Sequence, residues 1–304
     1  MILVFGSINV DVFYDLPGFV DADETAVIPE AQVWSGGKGA NQAVAAARDG
    51  ARVRFAGAVG RDPFAAVALR GLVQARVDTS RVVRVPAQTG LTSIQRNPRQ
   101  QTKIVTALGA NLGARQGQVE DAALGPGTLL LLQTDMDPGE VAVLARRARD
   151  LGAFVVLNVS PFAMIDTDVL RLVDVLLLDE GDSGELAEHL GTGVGAASLR
   201  AALGCAVVRT MGVMGLECAT AAGHFRMDSH SVDEVDRTGA QDCLAGVMAA
   251  CLDRGVSLRD ALYRANVAAA LSCRTVGLQA GFPGSGEIDR EIEASLERRL
   301  VRIR

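Results

Sequence analysis

Short, mainly apolar runs recur along this chain, and segments with helical spacing separate them. Ile2-Leu-Val-Phe5 is the first run, and residues 52–60, 128–133, 154–158 and 173–178 supply four more. Such runs are typical of strands buried on both faces, as in parallel sheets that helices cover. The alternation therefore predicts an α/β fold of three layers, with a mostly parallel central sheet between helices.

Two segments interrupt this alternation. Residues 12–33 are irregular and contain Pro17 and Pro29, and residues 83–108 contain two short β-like runs. We interpret them as two insertions that together form one small β-sheet, a lid over the larger sheet. The predicted division is a core of residues 1–11, 34–82 and 109–304 and a lid of residues 12–33 and 83–108.

Polar residues follow the predicted strands at their carboxyl ends. Asn9 and Asp11 follow the first strand, and Asp135, Asn158 and Asp179 end or follow later ones. Each of them alone also fits a turn. In open α/β sheets, however, ligands bind outside the carboxyl ends of the strands, so the repeated placement favours a site along this edge.

The segment 235–246 closes a polar turn and opens an apolar helix predicted from about Ala240 to Leu252. Gly239 and Ala240 allow the backbone to approach a ligand, and free N–H groups at a helix start attract phosphate. Asp242 in the first turn can take a proton from a hydroxyl as a phosphoryl group is attacked. The structural alternative is that Asp236 and Asp242 only cap this helix start.

A second glycine-rich loop, Gly36-Gly-Lys-Gly-Ala-Asn41, precedes an alanine-rich helix. Its glycines permit close approach of another molecule, and Lys38 and Asn41 suit a polyhydroxylated ligand. The loop is no Walker A motif, because the four-residue gap and the Lys-Ser/Thr ending are absent. Tight packing of helix against strand is the alternative explanation.

Composition limits the partners of the chain. With 36 acidic and 30 basic residues among 304, the net charge of −6 argues against nucleic acid and anionic membranes. The five cysteines lack disulfide-framework or zinc spacing. No apolar run is long enough to span a bilayer, and no basic leader precedes the first run. We expect a cytoplasmic protein.

Several stretches together resemble one family, in order over essentially the whole chain. That family is the ribokinase-like, or PfkB, carbohydrate kinases, and the ribokinases are its most similar branch. The stretches are Gly6-Ser-Ile-Asn-Val-Asp11, Gly36-Gly-Lys-Gly-Ala-Asn41, Gly109-Ala-Asn111, Thr210-Met-Gly-Val-Met-Gly215 and Asp236-Arg-Thr-Gly-Ala-Gln-Asp242. The resemblance implies a Rossmann-like α/β/α core with a β lid and an ATP-dependent sugar kinase activity.

The resemblance also assigns roles in the transfer of phosphate to the primary hydroxyl of ribose or a close relative. Asp242 becomes the general base, and the backbone of Gly239, Ala240, Gln241 and Asp242 steadies the phosphate. The implied sugar-binding residues are Asn9, Asp11, Gly37, Lys38, Asn41 and Asp135, the last in place of the usual Glu.

The same resemblance implies residues for the nucleotide and for a monovalent cation such as K⁺. The implied nucleotide-binding residues are Asp179, Thr210, Gly212, Gly215, Gly239 and Asn266. The implied cation residues are Asp236, Thr238, Ser272, Thr275, Gly277 and Gly281. Mg²⁺ is expected to arrive with ATP, held mostly through phosphates and water.

This chain departs from the family pattern around the phosphate. Arg237 replaces a Thr, and Gln241 replaces a Gly whose loss costs about 1 kcal/mol or more if the position requires a positive φ. Asp179-x-x-Asp182 replaces Asn-x-x-Glu and adds negative charge beside ATP. These departures leave a second hypothesis open, a catalytically weakened protein that binds sugar or nucleotide.

A third hypothesis is a nucleoside kinase, which the scarcity of aromatic platforms for a nucleobase disfavours. For the kinase itself, the exposed edges of the predicted lid favour a homodimer formed through it.

Overall fold

The fold was obtained as a computed structural model that describes residues 1–99, 101–162 and 165–302. The strands are β1 Ile2–Phe5, β2 Asn9–Asp15, β3 Gln32–Gly36, β4 Val53–Val59, β5 Asp78–Arg84, β6 Gly90–Arg96, β7 Thr102–Ala107, β8 Leu129–Gln133, β9 Phe154–Asn158, β10 Val175–Leu178, β11 Ala206–Thr210, β12 Leu216–Thr220 and β13 Gly223–Met227. The helices are α1 Lys38–Arg48, α2 Phe64–Gln74, α3 Pro138–Leu151, α4 Thr167–Leu170, α5 Glu180–Leu190, α6 Ala196–Leu203, α7 Ala240–Asp253, α8 Leu258–Ser272 and α9 Ser285–Arg302.

Nine strands form the large sheet in the order β13-β12-β11-β10-β9-β8-β1-β4-β5. The pairs from β5 to β11 are parallel, and β12 and β13 are antiparallel additions at one edge. This arrangement confirms the predicted α/β fold with its mostly parallel central sheet.

The alternation of side chains in the buried strands creates two cores, one on each face of this sheet. In β1, Ile2 and Val4 belong to the core that α1, α7 and α8 cover, whereas Leu3 and Phe5 belong to the core that α3 and α6 cover. Every residue of β1 is buried, because in a strand successive side chains point to opposite faces and both faces are covered.

A separate four-stranded sheet, in the order β3-β2-β6-β7, forms the lid. Its strands extend beyond the predicted insertions, since β2 begins at Asn9 and β3 ends at Gly36. Conversely, β5 pairs with β4 and keeps residues 83 and 84 in the large sheet. The boundaries between the two sheets thus lie a few residues away from the predicted ones. One reason is that β2, a lid strand, starts directly after the turn that follows β1.

Among the described helices, none is long and apolar enough to cross a lipid bilayer. All five cysteines are buried and unpaired.

Candidate active site

Helix α7 starts at the carboxyl edge of the large sheet. Gly239 precedes it with φ 79°, a left-handed conformation that glycine adopts without strain. The amide of Ala240 donates to Arg237 O at 3.1 Å. The amides of Gln241 and Asp242 have no acceptor within the described part of the chain. These two N–H groups can therefore bind an anion at the helix start.

Asp242 lies in this first turn and is only 7% exposed. Its Oδ2 accepts a hydrogen bond from Asn41 Nδ2, and its Oδ1 accepts one from Gln42 Nε2, both at 2.9 Å. Burial raises the pKa of Asp242, and Lys38 and the two amide donors oppose that rise. A buried carboxylate with a raised pKa can accept a proton from a ligand hydroxyl.

A cavity of about 1070 Å³ opens in front of Asp242, between the lid and the large sheet. Gly239 and Asp242 line it, together with all six residues predicted to bind sugar. These six are Asn9, Asp11, Gly37, Lys38, Asn41 and Asp135. Strand β6 of the lid contributes Thr92, Ile94 and Arg96. We call this space the first cavity.

Buried polar contacts fix the side chains of the first cavity. Asn9 Oδ1 accepts from Asn111 Nδ2 at 2.7 Å, and Asn9 Nδ2 donates to Thr92 Oγ1 at 3.1 Å. Ser7 Oγ donates to one oxygen of Asp135 at 2.6 Å. The other oxygen, Asp135 Oδ1, is buried without a partner in the described residues. Such an oxygen is suited to accept a hydrogen bond from a ligand hydroxyl.

Lys38 carries the positive charge closest to these carboxyl groups. Burial alone would lower its pKa, but Asp242, Asp135, Asp182 and Asp179 together raise the pKa above its usual 10.5. The ammonium group is therefore charged and offsets part of the negative charge at the site.

A second cavity of about 380 Å³ lies on the other side of the α7 start. Five of the residues predicted to bind nucleotide line it: Asp179, Thr210, Gly212, Gly215 and Asn266. Gly239 is the exception and lines the first cavity. Ala240 and Gln241 line the second cavity, whereas Gly239 and Asp242 line the first, so the α7 start separates the two spaces.

The acidic pair lies beside the second cavity. Asp179 caps helix α5 by accepting from the amide of Asp182 at 2.9 Å. Burial and the neighbouring Asp179 raise the pKa of Asp182 from 3.8 to about 6. One of its oxygens accepts from the amide of Phe162 at 3.0 Å. Asp182 is therefore partly neutralised near pH 6.

Gln241 does not carry the strain that a positive φ would bring. It lies in the helical first turn of α7 and is absent from the non-glycine residues with positive φ. Its side-chain Nε2 lies 3.4 Å from Asn158 Oδ1, at the carboxyl end of β9. The amide group thus points to the sheet edge, and the helix start keeps its usual geometry.

The loop before α7 meets the segment after α8. Asp236 Oδ1 accepts from Thr238 N at 3.0 Å and from Thr238 Oγ1 at 2.7 Å. The buried Asp236 Oδ2 accepts no hydrogen bond from the described residues and lies 3.4 Å from Arg96 Nη1 of the lid. A Cβ atom at Gly281 would lie 2.6 Å from Thr275 Oγ1 and 3.3 Å from Ser272 O.

The amides of Val235 and Asp236 donate to Cys273 O, so the oxygen atoms of Asp236 and Thr238 lie beside the segment that carries Ser272 and Thr275. Their chemistry fits a monovalent cation, which takes oxygen ligands. Gly277, the remaining residue predicted for the cation, packs against the Trp34 ring.

Sequence reasoning missed several side chains of the site. Asn111 belongs to a predicted motif without a role of its own, and Gln42 and Gln133 have no predicted role. In the structure Gln133 donates to Gln42 at 2.8 Å. Arg96 was placed in the lid, but its ion pair with Asp236 joins positions 140 residues apart in the chain. A local pattern carries no signal for such pairings.

Comparisons with known proteins agree with this geometry. Residues 1–284 match the family model described as pfkB family carbohydrate kinase. This chain belongs to the PfkB family of carbohydrate kinases. The predicted family is thereby confirmed.

Individual relatives of this PfkB kinase are named ribokinases. It is 31% identical to the ribokinase of Haemophilus influenzae over 293 residues, or 92% of this chain and 94% of that one. The crystal structure of ribokinase from Thermotoga maritima superposes with a TM-score of 0.88 at 26% identity, over 96% and 99% of the two chains. Ribokinase from Cryptococcus neoformans, solved in complex with ADP, gives 0.82 at 27% identity, over 95% and 98%.

Asp11 couples the stability of this PfkB kinase to pH. It is 5% exposed, and its Oδ1 has no partner in the described residues. Burial raises its pKa from 3.8 to about 7. The folded state then binds more protons than the unfolded state between these values, so Asp11 lowers stability as pH rises from about 4 to 7.

We expect Asp11→Asn, which cannot ionise, to raise the free energy of unfolding at pH 8 by about 1–3 kcal/mol. Denaturant titrations of both proteins at pH 5, 6.5 and 8 measure the difference, which should shrink toward pH 5. A difference independent of pH would contradict the assignment. Sugar affinity should fall in the same variant, because an acceptor oxygen facing the first cavity is lost.

Proposed function

We propose that this kinase transfers the γ-phosphate of ATP to the primary hydroxyl of D-ribose or a closely related sugar. The observation that carries the proposal is the position of Asp242. Its carboxyl group faces the first cavity, whereas the helix turn that holds it also lines the second cavity. A proton acceptor is thus placed where a hydroxyl on one side can meet a phosphate on the other.

The first cavity suits a sugar because its lining is polar and offers both donors and acceptors. Asp11 and Asp135 each present an oxygen that has no hydrogen-bond partner among the described residues, and Lys38 presents a cation. Hydroxyl groups can donate to these oxygens, and Asn9, Gly37, Lys38 and Asn41 line the same cavity. No aromatic side chain occurs among the described residues that line the first cavity, which disfavours a nucleoside as the acceptor.

The reaction then follows from the groups at the α7 start. Asp242 accepts the proton of the sugar hydroxyl as its oxygen forms a bond to the γ-phosphorus, and the bond from that phosphorus to the oxygen of ADP breaks. The amides of Gln241 and Asp242 donate to the transferring phosphoryl group, and Lys38 offsets the negative charge that collects there. The proton stays on Asp242 during the transfer and passes to water once the products depart.

Metal ions are part of the proposal. The oxygen atoms of Asp236 and Thr238, in the loop that leads into α7, and of Ser272 and Thr275, at and after the end of α8, would hold K⁺, which would steady the anion-binding turn. Asp179 and Asp182 lie where Mg²⁺ brought by ATP would contact protein through water. This acidic pair adds negative charge beside the second cavity, which would disfavour a nucleotide without its metal ion.

We also propose that two copies associate through their lids. Strand β7 is the edge of the small sheet, and its Ile104 and Val105 are 57% and 67% exposed. An edge strand with exposed apolar side chains is a natural pairing surface for a second copy. The molecular mass in solution, measured by sedimentation equilibrium, tests this proposal.

The decisive experiment measures ADP release with Mg²⁺–ATP and K⁺ on D-ribose, on other pentoses including 2-deoxyribose, on hexoses and on nucleosides. Brisk turnover that requires a sugar, highest on ribose, is the expected result. Turnover highest on a nucleoside would contradict the sugar assignment. Absent turnover, with ribose or ATP still raising the unfolding temperature, would favour the weakened binding protein.

A further inference from the structure

A row of four buried carboxamides ends on Asp242 from two sides. Asn41 and Gln42 donate directly to its two oxygens at 2.9 Å. Behind them, Gln279 Nε2 donates to Asn41 Oδ1 at 2.9 Å, and Gln133 Nε2 donates to Gln42 Oε1 at 2.8 Å. Gln42 and Gln133 are fully buried, and Asn41 and Gln279 are at most 5% exposed. Every donor in the row therefore points toward the carboxylate.

The orientation of Gln42 matters because a carboxamide can present either a donor or an acceptor. With Nε2 toward Asp242, Gln42 donates a charge-assisted hydrogen bond. Turned over, it would place Oε1 against a carboxylate oxygen, which disfavours the ionised form. Gln133 favours the first orientation, because its Nε2 donates to Oε1 of Gln42 while its own Oε1 accepts no hydrogen bond from the described residues.

The backbone is shaped around Gln133. A Cβ atom at Gly6 would lie 2.0 Å from Gln133 Oε1, and a Cβ atom at Gly39 would lie 2.8 Å from it. Both distances are too short for any side chain, so these two glycines leave the slot that the Gln133 carboxamide fills. Gly39 is the third glycine of the Gly36-Gly-Lys-Gly loop, and it does not line either cavity.

We propose that Gln133 is a positioning residue for the proton acceptor, acting through Gln42 to keep Asp242 ionised and aimed at the sugar hydroxyl. This inference rests on the proposed function. Gln133 and Gln42 line neither cavity, so neither touches sugar or nucleotide. The charged groups that act on Asp242 from other elements are Lys38, Asp11 and Asp135.

The test compares Gln133→Met, which keeps the size but removes the donor, with Gln42→Met, which removes the direct donor to Asp242. In each variant kcat should fall roughly tenfold or more, and the acidic limb of the kcat–pH profile should move up by about one unit. The KM for sugar should stay within about twofold, since contacts to the sugar are unchanged. The double variant should be no worse than Gln42→Met alone, because Gln133 acts only through Gln42.

Gln118→Met is the matched control. Gln118 Nε2 donates to Gly57 O at 2.9 Å and to Arg81 O at 2.6 Å, away from Asp242. Its loss should lower the unfolding temperature and leave kcat and the pH profile unchanged. Should Gln133→Met fail to fold, Gln133→Asn, which is one methylene shorter and does not reach Gln42, replaces it.

Two results would overturn the inference. One is a Gln133 variant that loses stability with kcat and pH profile unchanged, as the control does. The other is a double variant in which the losses of kcat from Gln133→Met and Gln42→Met add in full, which would show that Gln133 does not act through Gln42. The proposed function has a separate check in Asp242→Asn. If that variant keeps turnover, the base assignment fails; if it is inactive while the Gln133 variants keep the wild-type pH profile, only the positioning role fails.

Discussion

Asp242→Asn is expected to lower kcat about 10²- to 10⁴-fold, the usual contribution of a general base. The variant removes the proton acceptor yet keeps a side chain of the same size at the α7 start. Asn41 and Gln42 donate to the two different oxygens of Asp242 at 2.9 Å, so in the variant one of these donors keeps a carbonyl oxygen as partner and the other faces the new NH2 group. The site should therefore lose its proton acceptor while a side chain of nearly the same volume still fills the position.

The measurement is steady-state ADP release, combined with sugar affinity from titration calorimetry. Affinity for the sugar should change by less than about tenfold, because the other hydroxyl-binding groups are untouched. Asp253→Asn, at the opposite end of the same helix, supplies the control, since Asp253 pairs with the amino terminus and lines neither of the two cavities. A rate that survives in Asp242→Asn would assign the proton transfer to another group.

The fold was predictable because its signal is local. In β1 and β8 every residue is buried, and such runs separated by helices admit few arrangements other than a covered parallel sheet. Strand β5 escaped prediction for the converse reason. It is an edge strand whose residues are half-buried or exposed, so no apolar run marks it.

The cavities were predictable in part. Glycine-rich turns at strand ends mark where a backbone meets a ligand, and the predicted sugar and nucleotide residues do gather on two neighbouring spaces. Their roles stay predictions. The backbone strain considered for Gln241 depends on its φ angle, which the residue type alone does not reveal. In the structure Gln241 lies in the helical first turn of α7, so this strain is absent.

The supports behind the site were beyond prediction. Gln133 reaches Gln42 across 91 residues, and Asn111 reaches Asn9 across 102. Polar side chains so far apart in the chain can form hydrogen bonds to each other only after the sheet has formed, so their pairing depends on the strand order. The strand order is a property of the tertiary fold, and local sequence patterns do not reveal it.

Asp49 supplies the second large effect, on stability. It follows α1, is fully buried, and accepts hydrogen bonds from Arg254 Nη2 at 2.6 Å and from Arg264 Nε at 2.9 Å. These two arginines belong to the end of α7 and to α8. Asp49 thus ties together three helices, and α1 is the helix that begins with Lys38 and carries Asn41 and Gln42.

We expect Asp49→Ala to lower the free energy of unfolding by about 2–4 kcal/mol, because Arg264, 16% exposed, and Arg254, 40% exposed, lose their hydrogen bonds to this buried carboxylate. Urea titration followed by circular dichroism measures the change. Asp289→Ala is the matched control, since Asp289 also pairs with Arg264 but its side chain is 53% exposed. Its removal should cost less than about 1 kcal/mol, as for surface ion pairs. Equal losses in the two variants would mean that burial of Asp49 adds nothing. A loss of stability in Asp49→Ala alone would show that the ion pairs of Asp49 stabilise the end of α1 opposite the site.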